Sequence, residues 1–215
     1  EIVRLFHAAE TRPLHEITVV RTGKKQGTRH SNVRESIKAK ATRLGLERKM
    51  IYATMIYTGL RKSELASISI GQAFLDHEIP HLVLKAKHAK SRRGAILPLH
   101  PQLVPRLREW LNLKTAQGKL SPKEKLFHVP DSLCKILNRD LKFAGIEKRD
   151  VLDRVVDVHA LRHTHATILA KRGVSPKVAQ SSMRHSCIRL TMNVYTHLEL
   201  TDVAEGVKQI PDFFE

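Results

Sequence analysis

A chain of 215 residues, 41% of them apolar, can bury a core without disulfide staples, and Cys134 and Cys187 make neither a CxxC pair nor a disulfide framework. Two free thiols are compatible with a reducing cytoplasm; no apolar run approaches the roughly 20 residues of a membrane span, and no signal peptide opens the chain. Lys and Arg total 38 against 21 acidic residues, a net charge of +17, and this excess suggests a polyanionic partner over a merely lysine-rich soluble surface.

The first residue is Glu, and Ile2, Leu5, Phe6 and Ala9 already follow a helical period, so the sequence reads as a piece of a longer protein. That first helix is expected over about Glu1 to Glu10. Arg21–Asn32 is a Gly-, Lys- and Thr-rich loop with little to bury. It begins a basic block, Lys24 to Lys49, in which only Glu35 and Glu47 oppose the cations. Two helices are predicted next, about Val33–Leu44 and Glu47–Tyr57, the second ended by Gly59 as a left-handed C-cap glycine would end it. Ser63-Glu64-Leu65 restarts a helix just past Arg61.

His81–Leu84 and Ala95–Leu99 read as two strands around the basic loop Lys85–Gly94, which holds no acid. Clustered charge of this kind fits phosphate contacts, so Lys24, Lys25, Arg29, Lys87, Arg92 and Arg93 are expected to face nucleic-acid backbone. Leu107, Trp110 and Leu111 are core candidates on a short helix after Pro101 and Pro105. Ser121-Pro122 with Glu124 predicts a helix start. Leu133, Ile136, Leu137, Leu141 and Ala144 share one face of a helix ended by Gly145. Then come Val158–Arg172, stopped by Gly173, a helix from Pro176 to Met183 capped by Ser175, and a further helix carrying Leu190 to Tyr195. The architecture expected is mainly α with a small antiparallel β-sheet.

Two motifs carry chemistry. In His159-Ala-Leu-Arg162, positions i and i+3 of a helix share a face, so an imidazole and a guanidinium can address one small target. Arginine offers a planar fork matched to two phosphate oxygens, and histidine donates or accepts a proton near neutral pH. His159 and His163 are spaced to chelate a metal, but His165 falls on another side of the helix and no HExxH is present. No metal site is expected, and His163 and His165 read as core or supporting residues. In Thr58-Gly59-Leu60-Arg61-Lys62-Ser63-Glu64-Leu65, a glycine turn fixes Arg61 at a junction between helices, where Glu64 could orient it from behind.

Taken together, TGLRxSEL, a basic hairpin, HxLRHTHAT, a later His and a Tyr inside Tyr-Thr-His resemble the tyrosine recombinases, or phage-type integrases, from about Glu1 to His197. The resemblance implies that family's catalytic-domain fold. It implies catalytic roles for Arg61, His159, Arg162, His185 and the nucleophile Tyr195, with Glu64 supporting. The family's hairpin lysine falls on Lys90, counted back from Pro98, or on Lys87 if the loop length differs. It further implies strand cleavage to a 3′-phosphotyrosyl link with no metal, ATP or other cofactor, since the phosphodiester energy is kept in the covalent intermediate.

The implied partner is double-stranded DNA, bound by a homo-oligomer, a tetramer, and no membrane. Residues 1–198 would be the catalytic domain and 199–215 a tail able to dock on a neighbouring protomer. The family's N-terminal DNA-clamping domain is not among these residues. Two departures stand out: Arg184 occupies a position where the family commonly has Gly, and the interval from His185 to Tyr195 is one residue longer than in many members. A type IB topoisomerase-like strand relaxer and a non-catalytic DNA-binding module are the alternatives. The intact set of reactive residues speaks against the second, because binding alone needs no tyrosine.

Overall fold

The computed structural model describes residues 1–20, 23–28, 32–89, 92–116, 118–149 and 153–195, the last two without their side chains. Arg29, Lys90 and the tail 199–215 lie outside the described residues. Eight helices are described: α1 (Ile2–Thr18), α2 (Glu35–Thr58), α3 (Lys62–Ser67), α4 (Leu103–Thr115), α5 (Leu133–Phe143), α6 (Val158–Lys171), α7 (Pro176–Met183) and α8 (Arg189–Tyr195). One antiparallel sheet joins β1 (Ala73–Phe74), β2 (His81–Leu84) and β3 (Ala95–Pro98) in that order, with Leu82 opposite Leu97. The expected mainly helical fold with a small antiparallel sheet is what the chain adopts; the short β1 escaped the sequence reading because two residues carry no alternation.

The axis of the molecule is α2. From Met50 to Ile56 it is buried on nearly every side, against α1, α4 and α6. A helix enclosed all round has no single apolar stripe, so its periodicity reads as two shorter helices. Gly45, which resembles a break between them, is instead a crossing point: a Cβ there would lie 1.9 Å from the Glu10 carbonyl oxygen of α1.

α1 also runs further than expected, through Pro13 to Thr18, because its second half is anchored by charge. Arg12 donates from Nε to Asp140 of α5 at 2.6 Å and pairs with Glu16. Asp140 is fully buried and also accepts from Arg48 at 3.1 Å and from the Tyr52 hydroxyl at 2.7 Å, which ties α1, α2 and α5 together. The helix expected at Ser121–Pro122 does not form. The carbonyls of Pro122 and Glu124 are engaged by the N–H groups of Gly71 and Ile70, so this segment serves as the partner of the turn after α3.

Candidate active site

The site is built where three helix ends meet. Gly59 closes α2 in the left-handed conformation, φ +60°, and a Cβ there would sit 2.8 Å from the His165 ring. Both the backbone angle and the close approach demand glycine. The turn delivers Arg61 to the N-terminus of α3, where its backbone N–H donates to Glu64 Oε2 at 3.0 Å and its Nη1 to Oε1 at 2.7 Å. Glu64 is buried. Burial opposes its ionisation, but the Arg61 backbone N–H and the guanidinium groups of Arg184 and Arg61 outweigh that and hold its carboxyl below the usual range. About a quarter of the Arg61 side chain remains exposed, so the expectation that Glu64 orients it from behind fits the geometry.

α6 presents its His and Arg residues to the same place. His159 shares a cleft of about 660 Å³ with Arg61, Lys62, His88 and Lys125. Arg162, by contrast, is only 1% exposed: its Nη1 donates to the Gly59 carbonyl and its Nη2 to the Met183 carbonyl. The sequence pattern suggests a guanidinium offered beside His159; the fold holds it under cover, braced on two helix ends whose carbonyls lack intrahelical partners. Burial and the neighbouring Arg61 and Arg184 push Arg162 below its ordinary value, yet it stays cationic at neutral pH.

His165 belongs to this bracing. Its Nδ1 lies 2.8 Å from the Ile56 carbonyl, to which it must donate, leaving Nε2 to accept from the Ser182 hydroxyl at 2.9 Å. That supporting role matches the sequence reading. The His159 and His163 rings meet edge to face, centroids 4.7 Å apart, while His165 faces the α2 end. Among the described residues no group of three or more His, Cys, Asp or Glu is placed to hold a metal ion.

His185 follows the end of α7. Its Nδ1 lies 3.0 Å from the Thr191 hydroxyl of α8. Burial, then Arg162, Arg61 and Arg184, push this imidazole down to about 4, so it is neutral at physiological pH. His159 is lowered too, by burial and then by His163 and Arg162. These mutual influences place Arg61, His159, Arg162 and His185 within one electrostatic neighbourhood. α8, which carries Tyr195 at its end, packs on α6 and α7, while the side chain of that tyrosine is outside the described residues.

A second cleft, about 740 Å³, opens from His185 and Arg184 past Lys177 to Arg93, just before β3. Lys87 lies in an exposed 3₁₀ turn of the hairpin, Ala86–His88, and Arg92 precedes Arg93 with φ +53°. Lys24 and Lys25 lie on an exposed turn at 23–28 that is hydrogen-bonded to Val20 just past α1. Sequence reasoning missed His88 and Lys125, which line the cleft with Arg61 and His159. No pattern marks them, since they are brought in by the hairpin and by the segment that partners the turn after α3.

A helical domain with a three-stranded antiparallel sheet is a fold that this chain shares with solved structures. The catalytic domain of bacteriophage HP1 integrase superposes with a TM-score of 0.56 at 21% identity, covering 98% of this chain and 91% of that one. XerH site-specific recombinase bound to palindromic difH substrate, a post-cleavage complex, gives 0.63 at 16% identity, covering 97% of this chain and 51% of the other.

The chain belongs to the phage integrase family, whose sequence model matches residues 26–201. A tyrosine recombinase from Thermosipho africanus is 27% identical over 165 residues, covering 77% of this chain and 54% of its own length. The chain spans about half the length of the curated relatives it matches.

Proposed function

We propose that this chain is the catalytic domain of a site-specific tyrosine recombinase, cleaving and rejoining double-stranded DNA. The observation that carries the reading is that Arg61, His159, Arg162 and His185, brought in by three segments, lie close enough to shift one another's protonation, next to α6 and α7 on which the helix of Tyr195 packs. In the mechanism, the Tyr195 hydroxyl oxygen attacks phosphorus and gives its proton to His159. The bond to the 5′-oxygen breaks, and Lys90, or Lys87 if the hairpin register differs, protonates that oxygen. The products are a 3′-phosphotyrosyl link and a free 5′-hydroxyl, and attack by a different 5′-hydroxyl reverses the step with exchange.

Arg61, Arg162 and an N–H of His185 would stabilise the charge that develops on the non-bridging oxygens, a preorganised clamp in a partly dehydrated site. Neutral His185 is suited to this because it remains a donor at one nitrogen without adding a fourth charge beside three guanidinium groups. The basic residues Lys24, Lys25, Arg29, Lys87, Arg92 and Arg93 would contact phosphates. Assembly as a tetramer on DNA, with residues 199–215 docking on a neighbour, completes the proposal. That XerH is seen with its DNA substrate supports the DNA-binding part of this reading.

The experiment is covalent capture. A nicked duplex that loses a short 5′ fragment on cleavage should leave protein attached to DNA on a denaturing gel, as well in EDTA as in magnesium. Glu64, the carboxylate at the core of the site, is already committed to Arg61 and Arg184. Adduct formation that fails in EDTA and returns with zinc or magnesium would overturn the metal-free reaction.

The pH dependence follows from His159. A general base works unprotonated, and a value lowered from 6.5 keeps it so to more acidic pH. The single-turnover rate should therefore hold down to about pH 6.5 and fall only below it. An acidic limb above 6.5, read between pH 5 and 8, would mean that His159 is not that base.

A further inference from the structure

Arg184 stands where the family commonly has glycine, and it adopts the left-handed conformation that favours glycine, φ +54°. For a residue with a side chain that conformation is unfavourable, so its side chain must return something. The guanidinium is 9% exposed. Nη1 donates to the Thr58 carbonyl at 3.2 Å and the Ser182 carbonyl at 2.8 Å. Nη2 donates to the Gly59 carbonyl at 2.7 Å and to Glu64 Oε2 at 3.2 Å. Three of these acceptors lie on the segment that presents Arg61, and the fourth is on α7, whose end leads into His185.

We infer that Arg184 is a positioning residue that locks the end of α7, and with it His185, onto the Gly59 turn that carries Arg61 and Glu64. A glycine there would close α7 without strain but would leave the hydrogen bonds between the two ends, among the described residues, to Arg162 and His165. The arginine adds a direct brace between the two segments that bear phosphate-facing groups, and it shares Glu64 with Arg61. The inference rests on the recombinase reading for what the brace serves; the brace itself is a matter of geometry.

Its electrostatic signature is readable without DNA. His185 faces Arg162 and His163 of α6, Arg61 at the α2–α3 junction, Arg184 beside it and Thr191 of α8. Removing one of those cations should let His185 take up a proton more readily.

The test uses the full chain and two variants, Arg184→Gly and Arg184→Lys. Glycine suits the left-handed turn, so the first should remain folded. Lysine keeps the charge but cannot span four acceptors with one ammonium. Single-turnover cleavage of the nicked duplex, followed against DNA concentration, should show the saturating rate lowered on the order of 10- to 100-fold in both variants, as displacement of aligned groups does. The half-saturating DNA concentration should move by less than about threefold.

In parallel, the His185 ring is titrated by NMR in the free protein; its midpoint should rise in Arg184→Gly and stay low in Arg184→Lys. A wild-type cleavage rate in Arg184→Gly, or an unmoved His185 midpoint, would overturn the inference. Recovery of the full rate by Arg184→Lys would do so too, by reducing the brace to a charge. Absence of any adduct in the unaltered protein would sink the recombinase reading instead, and the titration would still decide whether Arg184 is set against His185.

Discussion

Tyr195→Phe is expected to abolish the covalent protein–DNA adduct while leaving DNA affinity within about twofold, since binding free energy comes mainly from phosphate contacts. The substitution removes one oxygen and keeps the ring. That oxygen is the nucleophile in the proposed reaction. Tyr52 and Tyr57 are the other tyrosines of the chain. Tyr52 is buried and its hydroxyl donates to Asp140 at 2.7 Å, where burial and that carboxylate push it further from ionisation. Tyr57 donates its hydroxyl to Gln102 at 3.3 Å. Both hydroxyls are engaged within the protein. The measurement is a denaturing gel of the nicked duplex together with a gel-shift titration. An adduct that persists in the Phe variant would assign the nucleophile to another residue.

The second large effect is expected at Arg162. Arg162→Ala removes a cation from the centre of the cluster and should lower the single-turnover rate by about 10²–10³-fold, the loss typical of one preorganised donor at developing charge. It should also cost stability, because the Met183 carbonyl loses the partner the structure gives it. An unpaired buried polar group costs about 1–3 kcal/mol. The Gly59 carbonyl still accepts from Arg184, which limits the damage to one acceptor and a cavity.

Two measurements separate these consequences. Thermal unfolding reports the lost packing, and the rate at a temperature where both proteins are fully folded reports the lost charge. A rate that recovers once the temperature is lowered would make Arg162 purely a brace. A rate that stays depressed assigns it the electrostatic role as well. Arg162→Lys should restore part of the charge but only one of the two carbonyl contacts, and so fall between.

The sequence by itself determined the elements whose signals are local. The hairpin strands, read as His81–Leu84 and Ala95–Leu99 and found as His81–Leu84 and Ala95–Pro98, the stop at Gly59, the Ser175 cap of α7 and the shared face of α5 follow from glycine, proline, capping residues and period, which act within a turn or two. It also determined which residue types could serve a phosphodiester, because His159-Ala-Leu-Arg162 and Gly59-Leu60-Arg61 carry their chemistry in their spacing. Those groups do come together.

Only the tertiary structure decided the continuity of α2, the length of α1 and the failure of the helix at Ser121. In each case a distant partner overrides the local preference: α1 packs against Gly45, Asp140 draws in Arg12, and Gly71 engages Pro122. Whether a guanidinium is offered or covered was likewise undecided along the chain. Arg61 and Arg162 look alike as motifs, yet Arg61 faces a cleft while Arg162 is roofed by two helix ends. Arg184 reads as a lost glycine and proves to hold four oxygens. Burial and hydrogen-bond satisfaction are properties of what surrounds a side chain, and the carbonyls and carboxylate that tie Arg162 and Arg184 to the α2–α3 junction lie more than 100 positions away in the sequence.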